Sequence, residues 1–463
     1  MEQLERENYD ELVSRFKQMI KGNNPHFFDS EEMEIIIEEF LFFFDFEYCD
    51  KALDYAISVF PQQAIFHILR AKKFRMEIEF EKAEEELRLV ESQFPPSPEL
   101  YKEKYVLNSI LEDDPENYRL LLKAQDMDPK DPETQFFLSF EYLKRNQLGK
   151  AIDRLKFAIR EDEEFAEKLY HFSYYFEHSA NYSDALVFYS SLTDEFPLLK
   201  GTWFGLGLVY SWLGNHEEAI NAYKYALSID DDIPTAYYNI GNSYFDMEQY
   251  ENAIQSYMTS WEIEQNDFNS IACIGDCYYK LGNFDMARDY YLKALELEPE
   301  NVDALYGMIN LCKESNNTAA TRNYVMKAIK AMPNNFDLLF FALQLYDETL
   351  HEEKLIELFA CTLELTEFEE LHFEDFIIYC CTYEHYLDGL IIFRHYESHK
   401  AVSQMKDYFI AACYYLSGDI ANGNQHLCNA LMLNFKQYRT FLNLNSKLEE
   451  IPDIINLIEI FRS

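Results

Sequence analysis

A 34-residue register runs through most of this chain and limits its fold more than any other feature of the sequence. The stretches WFGLGLVY (203–210), YYNIGNSY (237–244) and IACIGDCY (271–278) align without a gap, each 34 residues after the last. Each is followed by a second apolar segment with helical spacing. Stepping by 34 in both directions keeps the register from one end of the array to the other. A small slot reads Cys49, Ala83, Asn117, Ala151, Ala185, Ala219, Ala253, Ala287, Thr321, Leu355, Gly389 and Gly423. A bulky slot reads Phe40, Phe74, Asn108, Tyr142, Phe176, Tyr210, Tyr244, Tyr278, Cys312, Tyr346, Cys380 and Tyr414. Pro61, Pro95, Pro129, Pro197, Pro299 and Pro333 mark where the second segment of a unit must stop, because proline cannot continue a helix interior.

Within each unit apolar residues recur at three- and four-residue steps, the period of an amphipathic helix. Alanine or glycine at a fixed slot lets two helices approach closely, and the facing ring fills the remaining volume. A pair of helices in 34 residues leaves an apolar face that only a neighbouring unit can cover, so the units stack into a solenoid with a continuous core. Composition agrees. With 13 Gly and 13 Pro in 463 residues, the chain is poorly supplied for a turn-rich β-sandwich or a Gly-rich nucleotide fold, whereas 35 Tyr and 38 Phe provide ample bulk for burial.

On these residues the array resembles the tetratricopeptide repeat, in its 34-residue length and its W-x2-L-G-x2-Y, A-x3-F and Pro slots. The match is densest over 200–301, where Trp203, Leu206, Gly207, Tyr210, Gly214, Ala219, Tyr223 and Ala226 all fit. It weakens in the third unit (Asn108, Asn117) and the tenth (Leu355, Thr362). The resemblance implies an all-α fold, a right-handed superhelical α-solenoid of about twelve helix-turn-helix repeats with helical caps. The expected division is an N-terminal capping helix over 1–29, with Leu4, Leu12, Phe16 and Ile20 on its apolar face, then repeats over 30–437. Capping helices over 438–463 follow, with Phe441, Leu444 and Leu448, and then Ile454, Ile455, Ile458 and Phe461.

Charge narrows the partners. Lysine and arginine number 40 against 83 Asp and Glu, a formal net charge of −43. Phosphate contacts need clustered basic side chains, so nucleic acid is excluded as a direct partner, and an anionic membrane surface is disfavoured. The N-terminus lacks the apolar core of a signal peptide, and the run Ile35–Phe44 is too short and too acidic to span a bilayer. Nine cysteines without paired spacing suggest reduced thiols, so a cytoplasmic protein is expected.

No phosphate-binding loop, nucleophile elbow or zinc-protease helix is present, so neither catalysis nor a cofactor is expected. His395 and His399 sit one helical turn apart, but two ligands do not close a metal site, and a solvated or capping pair is the better reading. Cys273 and Cys277, like adjacent Cys380 and Cys381, read as small core residues. The acidic runs 161–164, 230–232 and 367–370 read as solvated turns, with an acidic docking patch as the alternative.

In proteins this chain resembles, stacked first helices line a concave groove, and two slots one turn apart hold extended or helical peptides. Those slots here are Phe136 and Phe140, Tyr170 and Tyr174, Phe204 and Leu208, then Tyr238 and Asn242. They continue with Ala272 and Asp276, Tyr306 and Asn310, then Phe340 and Gln344. The expected function is therefore a protein-interaction scaffold that binds a basic or apolar peptide or partner protein in an acidic, aromatic-lined groove. Asn242 and Asn310 would pair with the ligand backbone, and Asp276 would favour Lys or Arg. The competing expectation is that these rings pack between repeats. The lysine-rich carboxylate clamp of some relatives is missing from these slots, although Lys72, Arg75 and Lys102 bring positive charge to the early units. Other functional readings are an acidic chaperone for basic proteins and a regulatory subunit of an enzyme complex. Self-association through the apolar C-terminal helix competes with that helix being a cap.

Overall fold

The computed structural model describes residues 2–22, 26–111, 117–345, 351–365, 370–396 and 405–462, and among these every regular element is helical. The repeat appears directly as helix pairs. Pro132–Lys144 precedes Leu148–Glu161, Lys200–Trp212 precedes His216–Ile229, and Pro234–Asp246 precedes Tyr250–Ile263. Phe268–Lys280 with Phe284–Leu297, and Val302–Glu314 with Thr318–Ala331, continue the pattern. In each pair a 13-residue helix is followed by one of 14 residues.

The turn between the two helices is equally uniform. Its middle residue takes positive φ, 74° at both Gly214 and Gly282, so that Asn215 N–H reaches back to the Tyr210 carbonyl at 2.9 Å and Asn283 N–H to that of Tyr278 at 2.9 Å. This closes the first helix with a left-handed cap. The same slot holds Phe44 at 56° and Ile78 at 64°, where a bulky or β-branched side chain is strained. The proline slots fall just past the second helices, with Pro299 after Phe284–Leu297 and Pro333 after Thr318–Ala331.

The small slot is buried throughout the regular units, with Ala83, Ala151, Ala185, Ala219, Ala253 and Ala287 all at 0% exposure. In the third unit Asn117 replaces the alanine and remains buried by bonding. Its Nδ2 donates to the Tyr105 carbonyl and the Ser109 hydroxyl, both at 3.0 Å, and its Oδ1 accepts from Asn108 at 3.3 Å. The two departures from the pattern thus satisfy one another, as buried amides must. In the tenth unit Thr362 is buried with its hydroxyl donating to the Phe359 carbonyl at 2.8 Å. Tyr346 of the bulky slot, and 367–369 of one acidic run, lie outside the described residues.

The chain divides into two compact units, Met1–Asp231 and Asp232–Ser463. In the first, the helix Glu2–Ile20 buries Leu12 and Phe16, with the Phe16 ring 5.8 Å from Phe28 and 6.0 Å from Phe40. Leu4 has its side chain outside the description. In the second, the terminal helix Pro452–Arg462 buries Ile454 and Ile458 in a cluster with Phe441, Leu448 and Leu431. Its apolar face therefore lies largely on its own unit, with Ile455 and Ile460 left exposed. Among the described residues no helix is long and apolar enough to cross a membrane.

Candidate functional site

Four tyrosines set the geometry of the first-helix face. Tyr189, Tyr223, Tyr257 and Tyr291 occupy one slot of the second helix and are at most 1% exposed. A ring this large fits because glycine stands opposite. A Cβ built on Gly207, Gly241 or Gly275 would lie 2.5, 2.5 or 2.6 Å from the nearest ring carbon of Tyr223, Tyr257 or Tyr291. Each buried hydroxyl then needs a partner. Tyr189 donates to the Leu169 carbonyl at 3.1 Å and shares a 2.6 Å bond with the Ser173 hydroxyl. Tyr223 shares a 3.3 Å bond with Ser211. Tyr257 donates to Asn242 Oδ1 at 2.7 Å and Tyr291 to Asp276 Oδ1 at 2.6 Å.

Two of the expected ligand-contacting groups therefore already serve the fold. The Asn242 carbonyl oxygen accepts from Tyr257 and its amide donates to the Tyr238 hydroxyl, so only one amide hydrogen is left to meet a ligand. Asp276 is half-buried, and burial raises its carboxyl to about 6. The bond from Tyr291 pulls it back down, and Asp303 pushes it up again. Asn310 is exposed, and the equivalent tyrosine slot of its unit is Val325, which brings no hydroxyl.

In Met1–Asp231 the rings fall into two groups. Phe136 belongs to the core: 6% exposed, it lies 5.2 Å from Phe165 and 5.6 Å from Phe172. Phe140 is half-buried, edge-on to Phe172 at 5.7 Å and Tyr175 at 5.6 Å. Phe204 is half-buried against Tyr223 at 5.6 Å. Tyr170 and Tyr174 differ from these, at 63% and 64% exposure. The local fold explains the difference. The residues that would begin this first helix form a 3-10 segment, Glu163–Leu169, which buries Phe165, Ala166 and Leu169, and the α-helix begins only at Tyr170. The two tyrosines then stand one turn apart, each against a histidine: Tyr170 is 4.0 Å from His171, and Tyr174 is 3.9 Å from His178.

In Asp232–Ser463 Tyr238 is half-buried, 5.6 Å from the Tyr257 ring, and Tyr306 is half-buried with its hydroxyl accepting from Asn335 Nδ2 at 3.1 Å. Phe340 is a core residue at 6% exposure, stacked 3.9 Å from His385 and 5.5 Å from Tyr379. An aromatic type at the right slot does not distinguish an open ring from a packed one, because the neighbouring unit decides how far it is covered. The hydroxyl network had a readable signal: each acceptor in the two central pairs stands 15 residues before its tyrosine.

The early positive charge is consumed within the fold. Lys72 pairs with Glu38 at 3.3 Å, Arg75 with Glu103 at 2.6 Å, and Lys102 with Glu133 at 2.7 Å and Asp131 at 3.2 Å. Cys277, Cys380 and Cys381 are fully buried and Cys273 is half-buried. Among the described residues no three His, Cys, Asp or Glu side chains gather as a metal site, and His399 lies outside them.

Comparison with known proteins bears on the most regular part of the array. A family model described as TPR repeat matches residues 207–247, and models described as tetratricopeptide repeat match 234–267 and 271–301. No curated protein matches the chain in sequence. Among solved structures, MamA is similar at 23% identity, covering 40% of this chain and 88% of that one, with a TM-score of 0.25. YrrB, described as a TPR protein with an unusual peptide-binding site, is similar at 18% identity over 48% of this chain and 96% of that one, with a TM-score of 0.30. The family matches fall on residues that carry the 34-residue register, the paired helices and the glycine–tyrosine contacts, and residues 207–301 of the chain are tetratricopeptide repeats.

Proposed function

We propose that this interaction scaffold binds a basic or apolar segment of a partner protein on the first-helix faces of its repeats. The observation that carries the reading is the pair Tyr170 and Tyr174, each more than 60% exposed on one helix that begins only after a 3-10 segment. Tyrosine presents a rigid ring and a polar tip at low entropic cost, and clustered exposed aromatics mark contact surfaces. In the second unit Tyr238, Tyr306 and exposed Asn310 present the corresponding slots, and Asn242 adds one amide hydrogen beyond the one it gives Tyr238. Asp276 attracts a cationic side chain only where it is ionised, at pH above about 6. The net charge of −43 steers cationic segments toward either unit and makes the association rate fall with added salt.

The test is affinity capture from native lysate at low and moderate salt, comparing the wild type with a Tyr170→Ala/Tyr174→Ala variant. Both substitutions are at exposed rings, so the fold is retained, and a thermal melt checks this. Partners held by the wild type and lost by the variant support the reading. Retention of the same salt-sensitive basic proteins by both would place the activity on the acidic exterior instead.

A further inference from the structure

The helices Phe336–Gln344 and Glu370–Thr382 meet through rings rather than through small residues. Phe340 stacks on His385 at 3.9 Å and, nearly parallel, on Tyr379 at 5.5 Å, and Tyr379 lies 4.4 Å from Tyr383. His385 is half-buried and lies 6.2 Å from Tyr379, so the rings form a cluster around the core ring Phe340, with Tyr383 at its edge 58% exposed. That edge borders an open cleft of about 560 Å³ whose lining includes Pro333, Asn334, Phe336, Asp337, Tyr379 and Tyr383. At the rim the Tyr379 hydroxyl donates to Asp337 Oδ1 at 2.5 Å, which fixes the direction of an exposed carboxylate.

These groups define the chemistry of an occupant. An exposed aryl face at the edge of a ring cluster attracts a flat cation, and a tethered carboxylate beside it accepts hydrogen bonds from that cation's edge. Guanidinium satisfies both at once, being planar, delocalised and weakly hydrated. A compact ammonium ion is strongly hydrated and has no flat face to stack. An anion would meet the Asp337 carboxylate, and a purely apolar group would leave that carboxylate and the asparagine amide without return. We propose that this cleft receives an arginine side chain of a partner protein, the guanidinium stacking on Tyr383 and pairing with Asp337. The cleft is lined by first helices, so the proposal deepens the first-helix reading; neither Tyr170 nor Tyr174 takes part, so loss of binding at that pair and at this cleft are read separately.

The test uses the full chain with two short probes, acetyl-Ala-Arg-Ala-amide and its citrulline twin, which keeps the planar shape but loses the charge. Binding is followed by saturation-transfer NMR, and melts by circular dichroism confirm that each variant is folded. The arginine probe binds at millimolar concentration or tighter, and the citrulline probe at least about ten-fold more weakly. Asp337→Asn and Tyr383→Ala each weaken the arginine probe about ten-fold, and Tyr379→Phe, which keeps the ring and cuts the tether, weakens it a few-fold. Tyr170→Ala/Tyr174→Ala leaves it unchanged, which separates this site from the Tyr170 and Tyr174 pair. Equal binding of the two probes, no transfer to the arginine probe, or unaltered affinity in either Asp337→Asn or Tyr383→Ala overturns the proposal.

Discussion

Asn242 and Asp276 occupy the same slot of successive repeats and accept the same bond from a buried tyrosine, one as a neutral amide and the other as an acid. The difference has a predictable sign. Burial lifts the Asp276 carboxyl from 3.8 to about 6, so the folded chain holds that proton more tightly than the unfolded chain does. Its contribution to stability is present below pH about 4 and is lost as pH rises to about 6. Asp276→Asn keeps the acceptor and removes the titration. In urea unfolding across this range the variant should lose less stability than the wild type as pH rises, and should be at least as stable at neutral pH. Parallel pH profiles would refute the assignment. The glycine opposite is equally specific: Gly241→Ala drives a methyl into the Tyr257 ring and should destabilise by about 1–3 kcal/mol in the same assay.

The turn between paired helices reads clearly in the central units, where Gly214 and Gly282 supply the positive φ that the cap requires. The first two units pay for the same geometry with Phe44 and Ile78. Ile78 is 74% exposed, so replacing it forfeits little packing. Relief of the left-handed strain, worth roughly 1–2 kcal/mol, exceeds the extra unfolded-state freedom of glycine, roughly 0.5–1 kcal/mol. Ile78→Gly is therefore expected to raise the urea midpoint with an unchanged slope, and a lower midpoint would show that the side chain is packed. Helix pairing was legible because small and bulky residues recur at fixed slots, and the cost of a misfit is local. The 3-10 segment Glu163–Leu169 was not legible: Phe165, Ala166 and Leu169 can be buried in either type of helix, and the choice between them lies in contacts with neighbouring helices. The same reason hid the burial of Phe136 and Phe340 while Tyr170 and Tyr174 were left open.

Across the whole chain, attraction between close ion pairs competes with repulsion between unbalanced carboxylates. Lys73, 4% exposed, bridges Asp50 and Glu77 at 2.8 Å each, and such short, sheltered pairs are weakly screened. The excess of 43 negative charges acts over longer distances and mostly through solvent. Raising ionic strength from about 0.01 to 0.1 M shortens the screening length from about 30 to 10 Å, so repulsion fades faster than pairing. The urea midpoint should therefore rise with sodium chloride, and a fall would mean that the ion pairs dominate. The buried tyrosines also give the molecule an internal optical clock. Burial raises the phenols of Tyr189 and Tyr223 in one unit, and of Tyr257 and Tyr291 in the other, above the ordinary value of 10.0. In a jump to alkaline pH a solvent-exposed phenol develops phenolate absorbance at once. These four would do so only at the rate at which their own repeats open, so the slow phase of that absorbance times the breathing of the core without any attached label.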